Sequence, residues 1–168
     1  MPLTGVHIHL LVNHAPVLGS LFALALLVAS FLWAPDVLRR TAFVVLVGTA
    51  LAAIVAYLTG EPAQHAIRGF PGVVRSLMDD HEEMGEASFI AASVVGLLAI
   101  GALVVWRNRV VPLGATLLLL LGNVIVSGMM VYTALLGGQI RHTEVRPGAT
   151  PEDAVKIEAP PVRRGPEG

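Results

Sequence analysis

Six histidines and no cysteine occur in this 168-residue chain, and that combination limits its chemistry at once. Without a thiol there is no disulfide, no thiolate metal site and no covalent c-type haem attachment. His7, His9, His14, His65, His81 and His142 remain as the soft-metal ligands, supported by methionines and carboxylates. Neutral imidazole binds copper, zinc or the iron of haem b. The histidines are not spaced as in a His-Glu-x-x-His zinc motif, and "HEEM" at 81–84 is not one. No nucleophile, base and orienting group can be assembled into a set. No catalytic residue is therefore named, and an electron-transfer or structural subunit is favoured over a stand-alone enzyme.

The elements that must position these histidines are membrane helices. The chain is 55% apolar and 14% charged, with a mean hydropathy of +0.74. Soluble domains carry about 25% charged residues. The apolar excess falls into four blocks at 13–33, 41–58, 87–106 and 112–136. Each approaches the ~20 residues that cross a bilayer. The expected fold is all-α, an integral membrane four-helix bundle over 1–146. An interfacial helix is expected at about 72–86, and a flexible, Pro-rich tail over 147–168. The first block lacks a basic leader and exceeds the ~7–15 apolar residues of a signal peptide, so it reads as a retained span. Gly19/Ala23, Ala25/Ala29 and Gly48/Ala52/Ala56 place small residues where helices can approach closely. Net charge is -1, which gives no reason to expect a nucleic-acid partner. The lipid bilayer is the expected surrounding, with redox or other membrane-complex subunits as protein partners.

Two connections are short and basic. Arg39 and Arg40 lie in the first, Arg107 and Arg109 in the last. The positive-inside rule places both in the cytoplasm, and both termini then lie on the outer side of the membrane. All six histidines fall at the opposite end from these arginines, whichever way the protein is inserted.

Asn13 is a suitable N-cap and Pro16 suits a first turn. His14 would then sit at the rim of the first span, facing inward. Alternatively the helix starts near Gly5 and kinks at Pro16. In "FPGVVRSLMDDHEEMGEASF", His81 joins the stripe Val73, Leu77, Met84 and Ser88. That stripe turns it toward the bundle, while Asp79, Asp80, Glu82, Glu83 and Glu86 face water. Gly137 and Gly138 read as the end of the last helix, with Arg141 and His142 beyond them. Gly60, Glu61 and Pro62 read as a turn before His65. Asn123, Ser127 and Tyr132 are expected to hydrogen-bond between helices.

The pair His14 and His81 is the leading axial set for a haem b, with His9 or His142 as a substitute and Arg141 as a partner for a propionate. A copper or zinc site using His7, His9, His65, His81 and Glu61 is the alternative. A cofactor-free anchor or assembly subunit is the third reading.

"HIHLLVNHAPVLG", "YLTGEP", "HEE" and "GGQIRHTE" together resemble small bacterial four-helix membrane proteins of unknown function whose first helix opens with a His-x-Pro element. The matching positions are His9, Asn13, His14, Pro16, Gly60, Glu61, Pro62, His81, Gly137, Gly138, Arg141 and His142. That resemblance covers the spans and not the tail, and it implies no activity. In size and histidine placement the chain is also similar to b-type cytochrome membrane anchors, which is a likeness of architecture.

Overall fold

The computed structural model describes residues 4–33 and 35–150. Among them there is no strand. Five helices follow in order: α1 (Gly5–Val12), α2 (Ala15–Ala29), α3 (Pro35–Ile67), α4 (Arg75–Val105) and α5 (Leu113–Arg141), with a short 3-10 turn at Thr143–Val145. α1 and α2 together make one membrane-length segment, Gly5–Ala29. With α3, α4 and α5 it gives four segments long and apolar enough to cross a bilayer. The helices run up, down, up and down. α2 packs on α3, α3 on α4, α4 on α5, and α5 closes back on α2, while α1 lies along α3. The part of the C-terminal tail from residue 151 lies outside the described residues.

Helix boundaries depart from expectation in each of the four segments. Of the two starts weighed for the first segment, Asn13 and a point near Gly5, the second is the one that occurs. The segment is already helical from Gly5, and the Asn13 N–H donates to the His9 carbonyl at 2.8 Å. Pro16 has no N–H for the Val12 carbonyl, so the helical ladder opens at Asn13–His14 and resumes as α2. In the second segment, Gly60–Pro62 makes no turn, and α3 runs through Pro62 to Ile67. Proline is tolerated inside membrane helices, where neighbours and side chains compensate the lost bond. In the last segment, Gly137 and Gly138 lie inside α5, which continues to Arg141. The stretch expected as a separate interfacial helix is continuous with the third span, as α4.

Small residues set the helix spacing. A Cβ on Gly96 of α4 would stand 2.5 Å from the Ala50 Cβ on α3. A Cβ on Gly122 of α5 would stand 3.0 Å from Val95 of α4, and one on Gly19 of α2 would collide with the Thr49 hydroxyl. Alanines dominate the core around Phe43, Leu27 and Leu119. The larger apolar side chains point outward, including Leu51, Leu97, Leu121 and Ile125. Large exposed apolar surface is expected where lipid, not water, is the solvent.

At one end of the bundle the two short connections are clasped together. The Asp36 carboxylate accepts from the Val111 N–H at 2.9 Å and from Arg40 Nε at 2.8 Å. Arg40 Nη2 donates to the Trp106 carbonyl at 2.8 Å and also to that of Arg109, while Arg39 donates to the Val111 carbonyl at 3.0 Å. The arginines in the first turns of α3 therefore bind carbonyls of the connection between α4 and α5. Every histidine lies toward the other end.

Candidate functional site: two docked histidines

Two histidines are held in the same way by different helices. His9 on α1 reaches α3, where its Nδ1 lies 3.0 Å from the Ala56 carbonyl. His81 on α4 reaches α5, where its Nδ1 lies 2.9 Å from the Thr133 carbonyl. A carbonyl can only accept, so in each ring Nδ1 carries the proton. The neutral ring then keeps its lone pair on Nε2. Neither Nε2 makes a hydrogen bond among the described residues. Fixing Nδ1 on a carbonyl is how proteins orient imidazoles that ligate through the other nitrogen.

The receiving helices repeat the pattern. Four residues after each accepting carbonyl stands a glycine, Gly60 after Ala56 and Gly137 after Thr133. The His9 Cε1 lies 3.6 Å from where a Gly60 Cβ would be, and the His81 Cε1 lies 2.9 Å from where a Gly137 Cβ would be. Gly137 makes room for a ring, and neither glycine ends a helix. Both imidazoles are half-buried. Thr133 carries further bonds between α4 and α5. Its hydroxyl lies 2.9 Å from Ser88 Oγ and donates to the Met129 carbonyl at 2.9 Å. Tyr57 and Phe89 stack at 4.7 Å between α3 and α4.

The remaining expected ligands are placed elsewhere. His14, expected to face inward, is exposed. The helix starts nine residues earlier than the Asn13 cap implied, so His14 falls at the break in the ladder and not at an inner rim. His7 serves as a helix cap: its Nδ1 accepts from the Thr4 N–H at 3.3 Å and meets the Thr4 hydroxyl at 2.7 Å, the place usually filled by Glu or Gln. His65 pairs with Glu61 one turn before it, at 3.6 Å, on an exposed face. His142 bonds Glu144 at 2.9 Å. Glu144's own backbone N–H, and then His142, hold its carboxyl below the usual carboxylate range. Arg141 lies over Phe70, 5.8 Å from the ring centre. Arg146 donates to the Gln139, Ile140 and Gly72 carbonyls and ties the α3–α4 connection to the end of α5.

Among the described residues no three His, Asp or Glu side chains are grouped to hold a metal ion. The copper or zinc set of His7, His9, His65, His81 and Glu61 is therefore not brought together. Of the expected bonds between helices, Asn123 makes one, from Nδ2 to the Ser20 carbonyl at 2.9 Å. Ser127 makes none, and Tyr132 is exposed.

Sequence alone names His81 and offers His9 only as a substitute. The signal for His9 lay in Gly48/Ala52/Ala56. Continued by four, that series reaches Gly60, which marks the face of α3 that α1 approaches.

No family model, curated protein or solved structure matches this chain. The likeness to proteins opening with His-x-Pro rests on the motifs alone.

Proposed function

We propose that this chain is a membrane-embedded b-type haem protein serving electron transfer within a larger complex, with His9 and His81 as the residues that would hold the haem iron. The observation that carries this reading is the duplicated docking. Two imidazoles on different helices each hold Nδ1 on a neighbour's carbonyl and leave Nε2 free. The donor set fits haem iron, which needs two such nitrogens and no third ligand from the protein. A zinc ion, which takes four ligands, would need more donors than the pair supplies. Haem bound there would supply one-electron exchange. The protein's part is to fix the tautomers, to orient the rings through the Ala56 and Thr133 carbonyls, and to surround them with apolar helix. The basic connections support an insertion with the histidine end outside the cytoplasm.

The absorption spectrum tests this directly. Protein expressed with ample haem and purified in detergent should show a Soret band. His9→Ala and His81→Ala should each abolish or shift it, while His14→Ala should leave it unchanged. A wild-type protein without a Soret band defeats the haem reading.

One observation favours a second reading. Each histidine–carbonyl bond joins two helices, α1 to α3 and α4 to α5, so the pair could act only as clamps in a cofactor-free subunit. In that case the same alanine variants lower the thermal midpoint of a colourless protein.

A further inference from the structure

Asn123 lies midway along α5 with 0% of its surface exposed, and its Nδ2 donates to the Ser20 carbonyl of α2 at 2.9 Å. That bond fixes the amide's direction, because the reverse orientation would face oxygen to oxygen. Asn123 Oδ1 is thus a buried acceptor with no donor among the described residues. One turn further along the same face, Ser127 is 4% exposed and its Oγ has no partner either. The Asn123–Ser20 bond also sets the antiparallel register of α5 on α2. Four residues on, Ser127 is level with Pro16, four residues back. Pro16 is buried and brings no N–H. Three residues further back, Asn13 has a third buried, unpartnered oxygen. In an apolar surrounding an unmet polar atom is costly, and within a bilayer no bulk solvent can meet it.

We infer that the seam between α2 and α5 binds water, with a molecule held between Asn123 Oδ1 and Ser127 Oγ. The unmet atoms are mainly acceptors. Water supplies two donors and can accept from the Ser127 hydroxyl, and buried waters characteristically hold two to four such partners. An apolar occupant would leave the oxygens unmet, and an anion would be repelled by them. No carboxylate stands among these three residues to balance a cation. The line of oxygens points from mid-bundle toward the histidine end. Thr133, on whose carbonyl His81 is docked, stands six residues beyond Ser127, a rise of about 9 Å. The site does not depend on whether haem is bound.

The test is nuclear magnetic resonance on the full chain in nanodiscs, with 15N-asparagine labelling. Only Asn13, Asn108 and Asn123 then contribute side-chain amides. A magnetisation-transfer cross-peak from water to the Asn123 amide protons is expected, with exposed Asn108 as positive control. Ser127→Ala should weaken the Asn123 peak several-fold and lower the thermal midpoint. No peak at Asn123 while Asn108 shows one overturns the inference. So does a Ser127→Ala protein with an unchanged peak and a raised midpoint, the mark of a hydroxyl that was dry.

Discussion

The docking of His81 is tighter than that of His9, and the difference yields a contrast at the scale of single residues. An added Cβ at position 137 would come within 2.9 Å of His81 Cε1 and 3.3 Å of its Nδ1. Gly137→Ala must therefore push the ring off the Thr133 carbonyl. At position 60 the corresponding distance to His9 Cε1 is 3.6 Å, an ordinary contact, so Gly60→Ala should leave His9 in place. A side-chain hydrogen bond between membrane helices contributes about 0.6 kcal/mol on average. Replacing a mid-helix glycine by alanine returns roughly 0.5–1 kcal/mol. Melting temperature is therefore a poor readout for Gly137→Ala, since the two effects nearly cancel. The 15N shifts of the imidazoles are the informative measurement. His81 should lose its fixed Nδ1–H tautomer in Gly137→Ala, and His9 should keep its own in Gly60→Ala.

Among the helices, α4 lies against α3 at Gly96, which puts no side chain of its own between the two backbones. Gly96→Ala would set two Cβ atoms 2.5 Å apart, with no long side chain to swing away. The helices must separate, and overpacking of this kind costs about 1–3 kcal/mol. Gly101, further along the same helix, has nothing within 4 Å of an added Cβ. Thermal unfolding in detergent should show a clear loss for Gly96→Ala and almost none for Gly101→Ala. The helices themselves were legible in the sequence because bilayer thickness imposes a length that composition reveals. Their ends were not. Gly60, Pro62, Gly137 and Gly138 are helix breakers by the rules of soluble proteins, and here the helices run through them. The inward turn of His81 and the outward turn of its acidic neighbours follow from helical periodicity alone. His14 could not be placed in the same way, because its direction depends on where the ladder is interrupted. The partner carbonyls of Ala56 and Thr133 carry no side-chain signature, so nothing in the sequence marks them.

For the molecule as a whole, histidines collect at one end and a charged clasp closes the other. The absence of native cysteine makes insertion easy to read. With Thr4→Cys and Asn108→Cys introduced singly, a membrane-impermeant maleimide added to intact cells should label the first and spare the second. The opposite pattern would invert the orientation proposed above. The clasp also bears on how the protein is made. Asp36 and its partner Val111 are 75 residues apart, and Arg39 and Arg40 likewise wait for carbonyls beyond α4. At about 5–20 residues per second, synthesis takes roughly 4–15 seconds to deliver the second connection after the first. During that interval Asp36 and Arg40 have each other, one turn apart, but the Val111 N–H and the carbonyls of Trp106, Arg109 and Val111 that complete the clasp do not yet exist. The clasp then forms only when the second hairpin arrives in the correct register, so it closes last and checks the placing of one hairpin against the other.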